Sequence, residues 1–442
     1  MNQPDRPRWQ QVGRRLLSLL APLLALVAVT GFFAVVDRLW ADGTFATTLN
    51  LRTVTIQTCV VAVAALGMSL IIISGGIDLS AGTALALCAT TLAWGLREDA
   101  AHLLRHGDNF ARASIRLEEA QKRLKSARQE SPERQAELQR QVQLTRSRLI
   151  ELLTAKRGAL AASSVTAGGK DPRTVLDQKL ARLQADEFTL RVDPLWLEGI
   201  PNSPWTPWVA LLIGISTGGL AGLFNGVLIS TLRIPPFVVT LGSMTMFLGL
   251  GNLLSGNVPI RPSFSQIPSW IGDLDGNTPE ALWGGFPTGV WLAGLLAVVV
   301  GLALRYTVFG RYVFALGSNE HTARLCGIHV GWTKTSIYAL GGLLFGIAGV
   351  YQFARLSTGN PMSGAGLELE VIAAVVIGGG SLSGGRGTVL GTLAGAAMTA
   401  VIKSGCTQLE LSDALQRIIL GVIIICAVTI DQLRQRHAAA GS

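Results

Sequence analysis

Residues 53–82 read TVTIQTCVVAVAALGMSLIIISGGIDLSAG, and the fold turns on their apolar part. From Thr53 to Ile73 there is no charged residue. About 20 such residues in a helix cross the roughly 30 Å of hydrocarbon in a bilayer. The tail of the stretch is of another kind. Gly75 and Gly76 let the chain reverse, and Asp78 or Ser80 can cap the next helix by accepting free backbone N–H groups. A carboxylate this close to a membrane marks function by default, while a plain N-cap at the membrane edge is equally economical.

Working outward, the same apolar signature recurs. Spans are predicted at 16–36, 53–73, 80–96, 206–231, 237–255, 287–304, 335–354, 367–379, 388–402 and 415–430. The eighth is short, and a broken or re-entrant segment is tolerated only where protein buries its backbone. Composition agrees: 49% of the 442 residues are hydrophobic and 15% charged, against about 25% charged in soluble domains. Arginines precede the apolar stretch from Leu16 to Val36, as in a signal peptide. That stretch is too long for a typical signal core, and Asp37-Arg38-Leu39-Trp40 makes a poor cleavage site, so it reads as a retained first span.

The formal charge of +9 would suggest nucleic acid in a soluble chain. In a multi-spanning one it reflects basic residues kept in cytoplasmic loops, so lipid is the expected surrounding and no nucleic-acid partner is expected. With the N-terminus inside, the inner segments collect Arg6, Arg8, Arg14, Arg15, Arg233, Arg305, Arg311, Arg324, Lys334, Arg386, Arg434 and Arg436. The outer segments carry Asp37, Asp42, Asp273, Asp275, Glu280, Glu368, Glu370, Glu410 and Asp413. An even number of spans then places both termini in the cytoplasm. The five cysteines contain no CxxC pair, so neither a disulfide framework nor a metal site is indicated.

The predicted fold class is therefore an all-α polytopic membrane protein of about ten transmembrane helices with an inserted soluble helical hairpin. Residues 1–96 hold the N-terminus and three spans, 205–430 hold seven more, and 431–442 form a cytoplasmic tail. Residues 97–204 are too charged for lipid. Ala113, Leu117, Ala120, Leu124 and Ala127, and then Leu138, Val142, Thr145, Leu149 and Leu152, repeat with coiled-coil spacing on either side of Ser131-Pro132-Glu133, a helix-start signal. A third short helix is predicted from Asp171-Pro172, with Val175, Leu176, Leu180 and Leu183 buried. Span parity puts this insert outside, as a docking surface or as a solvated elaboration.

Two further segments stand out. IGGGSLSGGRGT, residues 377–388, has a glycine spacing near that of a phosphate loop, but Gly385-Arg386 stands where the loop's Lys and hydroxyl belong. The alternative is packing, with Gly378, Gly384, Gly385, Gly391 and Gly395 letting backbones approach. The largest inner loop, 305–334, contains Gly317-Ser-Asn-Glu-His-Thr-Ala-Arg-Leu-Cys-Gly327-Ile, a short amphipathic segment. It reads as a knob passing force to a soluble partner or as an ordinary surface helix. No His, Cys or acidic cluster has catalytic or metal spacing, so neither a catalytic nor a metal-ligating set is assigned.

Four stretches together resemble the bacterial ABC importer permeases for monosaccharides, the ribose, xylose and galactose group. They are Gly75-Gly76-Ile77-Asp78-Leu79-Ser80 through Gly82, Ile234-Pro235-Pro236-Phe237 through Gly242, residues 317–328, and residues 378–387. The resemblance covers about 10–96 and 205–435 and implies a permease subunit of the bacterial inner membrane, paired with a second permease copy. A separate ABC ATPase would carry ATP and magnesium and bind Gly317, Asn319, Glu320, Ala323, Arg324 and Gly327, and a periplasmic binding protein would deliver the sugar. No cofactor is expected on this chain itself. His321, Thr322 and Cys326 depart from the pattern, and so does the insert. Asn225, Thr240, Ser243 and Asn252 are the polar candidates for the translocation pathway. Permeases for nucleosides or branched-chain amino acids have similar architecture; a secondary transporter or channel acting alone is a different class, and the few ionisable residues inside the spans argue against a proton- or sodium-coupled carrier, which needs midplane acidic groups or broken ion-site helices.

Overall fold

The computed structural model describes residues 8–40, 43–107, 110–127, 131–161, 172–184, 203–263, 266–276, 282–283 and 285–440. Asp42, Asp171 and Glu280 lie outside these residues. The chain opens with α1 (Arg8–Trp40), α2 (Thr48–Ile73) and α3 (Ala81–Arg97). The insert follows as α4 (Ala100–His106), α5 (Phe110–Ser126), α6 (Pro132–Ala161) and α7 (Pro172–Gln184). Then come α8 (Thr206–Leu232), α9 (Pro236–Ser255), α10 (Ser269–Asp273), a two-stranded hairpin of β1 (Leu282–Trp283) and β2 (Phe286–Pro287), and α11 (Thr288–Tyr306). After α12 (Val308–Ser318), α13 (Glu320–Leu325) and α14 (Val330–Leu356), a 3-10 turn at Pro361–Gly364 leads to α15 (Leu367–Ile377), α16 (Val389–Gln408) and α17 (Asp413–Ala440).

Among the described residues, 7 helices are long and apolar enough to cross a membrane: those at Ala21–Trp40, Thr48–Ile73, Thr206–Leu232, Pro236–Ser255, Thr288–Tyr306, Val330–Leu356 and Val389–Gln408. Three expected spans are shorter. α3 has 17 residues, α15 has 11, and the apolar part of α17 runs Ala414–Ile423. α15 covers only about 16 Å at 1.5 Å per residue, roughly half the hydrocarbon depth. The rest of that passage is irregular backbone inside the bundle: the 3-10 turn packs on α3, and Gly364 presses its backbone onto Gly82. Such a broken passage survives because α2 and α16 cover α15. Its consequence corrects one expectation, since Glu368 does not sit in an outer loop but is buried beside Gly82.

α2 and α14 form the centre. From Cys59 to Ile73 every residue of α2 is buried, including Met68 and Ile71. α14 packs on α8 through glycines: a Cβ at Gly222 would come within 2.1 Å of the Tyr338 carbonyl, and one at Gly218 within 2.3 Å of the Gly342 carbonyl. Only backbones without side chains approach this closely, the usual device where helices gain nothing from excluding water. The outer faces of α8, α9 and α11 remain apolar and exposed, with Leu212, Leu253 and Leu295 as examples, as lipid-facing surfaces require.

Polar contacts gather at two opposite ends. At one end the Ile260 and Gly359 backbones exchange hydrogen bonds (2.8 and 2.9 Å), Thr44 donates to Gln408 (2.7 Å), and Thr288 donates to the Asp273 carbonyl (2.9 Å). At the other, Gly385 N–H donates to the Ile73 carbonyl (2.8 Å) and Lys334 pairs with Glu320 (2.6 Å). Each set joins only segments that alternate spans place on the same side. In the insert, Ala113, Leu117, Leu149, Leu152, Leu153, Leu176, Leu180 and Leu183 form one buried cluster between α5, α6 and α7.

Candidate functional site

The four motif stretches meet at one end of the bundle. Gly317, the penultimate residue of α12, lies against the C-terminus of α2: a Cβ there would be 1.7 Å from the Ile73 carbonyl and 2.5 Å from the Gly385 nitrogen. Gly384 faces the same point, 2.9 Å from both Gly317 Cα and Gly75 Cα by the same construction. Gly75, Gly384 and Gly385 have φ of +85°, +85° and +72°, the left-handed region that favours glycine. The glycine-rich stretch is thus a packing joint. Arg386 closes its turn through its carbonyl, which accepts from Ser381 N–H (3.1 Å), and leaves its side chain exposed.

The 305–334 segment, expected as a loop, is largely helical. Thr307 caps α12 by accepting from Gly310 N–H (3.2 Å), and Asn319 breaks the helix and caps α13 by accepting from Thr322 N–H (3.0 Å). Ala323 is the buried face of α13, and Gly327 at φ +84° turns the chain into α14. Glu320 is not a free contact. It accepts from Lys334 Nζ (2.6 Å) and Arg324 Nη2 (3.3 Å), and these partners, Lys334 first, hold its carboxyl below the usual range. Pro235 and Pro236 open α9, Pro236 as its first residue, where a missing N–H is harmless. Between this turn and α13 lies a cleft of about 730 Å³, lined by Arg233, Pro236, Glu320, Arg324, Trp332 and Lys334. Trp332 and Leu325 beside it are each 77% exposed.

Beneath this surface the structure brings together residues that the sequence offered separately. Ser80 donates to Asp78 Oδ1 from its backbone N–H (2.8 Å) and from its hydroxyl (2.6 Å). Asn225 Nδ2 donates to Ser80 Oγ (2.9 Å) and reaches Asp78 Oδ2 at 3.5 Å, while Ser243 donates to Asn225 Oδ1. Thr240 Oγ1 accepts from Leu79 N–H (3.1 Å). All five side chains are at most 1% exposed. Asn225 and Ser243 lie about two turns, roughly 10 Å, inside the ends of α8 and α9. Asp78 therefore sits within the bundle and accepts the backbone N–H of Ser80 just ahead of α3, whereas the Ser80 side chain makes no cap bond to that helix. Asn252 is elsewhere: its carbonyl accepts from Asn257 N–H (3.0 Å) at the far end of α9.

This network fastens the α2–α3 junction to α8 and α9. Asp78→Ala leaves Ser80 N–H and its hydroxyl buried without their acceptor, at about 1–3 kcal/mol for each orphaned group. We expect a lower melting midpoint in detergent for Asp78→Ala, with most of it restored in Asp78→Asn, which keeps the acceptor oxygen. Equal midpoints for wild type and the alanine variant would remove the fastening role.

Over residues 50–428 the chain matches the family described as branched-chain amino acid transport system / permease component. It is 36% identical over 227 residues to the ribose import permease protein RbsC of Escherichia coli (strain K12), covering 51% of this chain and 70% of that one. It is 35% identical over 233 residues to the fructose import permease protein FrcC of Rhizobium meliloti, covering 53% and 65%. Against the L-arabinose transport system permease protein AraH of Escherichia coli (strain K12), identity is 34% over 229 residues, covering 52% and 67%. No solved structure matches the chain.

Proposed function

Because the chain belongs to this family of transport permease components, we propose that it is the membrane-spanning subunit of an ATP-driven ABC importer for a monosaccharide. The observation that carries this reading is the meeting of α12–α13, the Gly75 junction and the 378–387 turn at one joint. A push on α13 there reaches α2 through Gly317 and Ile73. Through the Gly75 junction it reaches the Asp78 network between α3, α8 and α9. That connection suits a subunit whose central helices are moved by a partner. Names of relatives favour a sugar over the branched-chain amino acid of the family description.

In this reading the ATPase holds ATP and magnesium, sits on the cleft beside Leu325 and Trp332, and supplies the hydrolysis. A second permease copy completes the pathway in the bacterial inner membrane, and a periplasmic binding protein delivers the sugar. Both termini are cytoplasmic and the 97–204 insert faces outward. Alternating access follows: closure of the ATPases pushes α13, and the paired permeases open first outward and then inward.

The experiment is purification of the tagged chain from its native membrane in mild detergent, with the co-purifying proteins identified and ATP-dependent sugar uptake measured in vesicles. Recovery of an ABC ATPase and a sugar-binding protein supports the importer; transport surviving without ATP would overturn it. Glu320→Lys tests the contact more finely. It sets a third cation beside Lys334 and Arg324 where an anion held them, so α13 loses its tie to α14. Uptake and ATPase recovery should both fall while sugar capture by the binding protein is unchanged. Wild-type uptake in this variant would remove α13 from the coupling role.

A further inference from the structure

A second cavity, of about 330 Å³, opens between α2, α14, the 3-10 turn, α15, α16 and α17. It lies toward the end opposite the motif joint: Gln352 is close to the end of α14, Lys403 close to that of α16, and Gln416 in the first turn of α17. We propose that this cavity is where the permease receives its solute, a small polyhydroxylated molecule of monosaccharide size. The proposal rests on the importer reading and adds the residues that touch the cargo.

Three observations converge. First, polar groups reach the cavity from every side: Gln57 on α2, Gln352 on α14, Glu370 on α15, Lys403 on α16, and Gln416 and Arg417 on α17. A solute with hydroxyls around its whole ring satisfies such a wall. An aliphatic side chain would leave part of it unpaired. Second, the one carboxylate on the wall among the described residues is already engaged: Lys403 Nζ donates to Glu370 Oε1 (3.0 Å). Arg355 and Arg417 add guanidinium N–H donors, which hydroxyl oxygens of a solute can accept from. Third, the Gln57 Oε1 atom is buried and has no hydrogen-bond partner. An amide oxygen held in this way near a cavity costs stability unless something donates to it.

The size falls at the low end of the roughly 300–1,000 Å³ of small-molecule pockets. Among the described residues no aromatic ring lines the cavity, so its wall offers a sugar ring hydrogen bonds rather than stacking. Weak binding is what a receiving station needs, because the solute must leave again. Ionisable residues within a membrane bundle face such cavities and mark solute paths, which accounts for Glu370 and Lys403 on apolar helices.

The test uses the complete importer, purified with its own partners, in proteoliposomes with D-ribose, D-fructose and L-arabinose as probes. Gln57→Leu and the double variant Glu370→Leu/Lys403→Met should each lower the uptake rate at saturating binding protein by about tenfold, the loss of one or two hydrogen bonds to solute. ATP hydrolysis stimulated by the loaded binding protein should persist. In parallel, Gln57→Cys in a background with Cys326 and Cys426 replaced by serine should react with a membrane-impermeant thiol reagent, and the transported sugar should slow that reaction. Uptake at the wild-type rate in both leucine variants would overturn the cavity and leave the importer reading intact. If those variants fail to assemble, absence of sugar protection at Gln57→Cys overturns it equally. A wild-type complex that moves none of the three sugars with ATP would remove the importer reading and this proposal together.

Discussion

Gly317→Val is expected to abolish the folded protein rather than slow it. The new Cβ would sit 1.7 Å from the Ile73 carbonyl oxygen, 2.9 Å from its carbon and 2.5 Å from the Gly385 nitrogen. All three are backbone atoms, so no side chain can swing aside. Their hydrogen bond, Gly385 N–H to Ile73 carbonyl, is the contact that the side chain would split. Overpacking in a tight site costs about 1–3 kcal/mol, and more where backbone must shift. A loss of that size is a large share of the roughly 5–15 kcal/mol that holds a typical folded protein. The variant should be missing from, or aggregated in, the detergent extract by fluorescence-detected size exclusion. Gly331→Ala is the control. Its Cβ would meet nothing closer than Ser230 Cβ at 3.8 Å, and replacing a helical glycine narrows the unfolded ensemble. That variant should melt no lower than wild type. If Gly317→Val were extracted at wild-type yield and melting midpoint, the joint would not be a packing keystone.

The contrast between these two glycines shows what the sequence reveals and what it hides. Helix positions were legible because an uncharged stretch such as Thr53 to Ile73 has few alternatives to a buried helix. The motifs around Gly75 and Gly384 were legible as turns. That they meet Gly317 was not, because the contact joins three segments far apart in the chain. The α8–α14 contact could have been found: Gly214, Gly218, Gly222 and Gly226 recur every fourth residue, a face of small residues at helical spacing. The passage through Pro361–Gly364 and α15 was read as one short span, and its irregular half is invisible to hydropathy because burial by neighbours, not composition, makes it tolerable.

The polar residues divide in the same way. Asn225, Thr240 and Ser243 were singled out as lone polar groups in apolar runs, and they do cluster. Their partner Asp78 gives the cluster its form, and sequence could not connect a junction to helices some 150 residues later. Asn252 satisfied the same sequence criterion and joined nothing in that cluster. Gln57, Glu370 and Lys403 were passed over as a set because each lies on a different helix. Only the packing of α2, α15 and α16 brings them to one cavity.

Lys156→Met should be strongly destabilising at neutral pH, and its deficit should shrink toward acid pH. Lys156 Nζ donates to Asp99 Oδ2 at 2.8 Å, with the two side chains 4% and 5% exposed. Asp99 also accepts from Ser203 N–H (3.2 Å) and from the Thr206 hydroxyl. One carboxylate therefore ties the end of α3, helix α6 of the insert and the entry to α8. Removing one partner of a buried ion pair costs about 3–5 kcal/mol because the other charge is stranded. Burial alone would raise the Asp99 pKa, but the Lys156 ammonium, with Thr206 and Ser203, outweighs it and holds the carboxyl below its usual range. In wild type, then, this group adds stability above the unfolded carboxylate pKa of about 4, and that stability is lost as pH falls through the lower folded value. Without Lys156 the burial effect gains, so the folded pKa rises. If it passes the unfolded value, the folded state takes up the proton more readily and the variant's stability recovers as pH falls. Melting midpoints of the two proteins should therefore converge on acidification, and protease cleavage within the insert should be faster in the variant at neutral pH. The double variant Asp99→Leu/Lys156→Met, with no charge left to strand, should recover much of the loss. Parallel pH profiles, or a double variant no better than the single, would mean that this pair does not anchor the insert to the bundle.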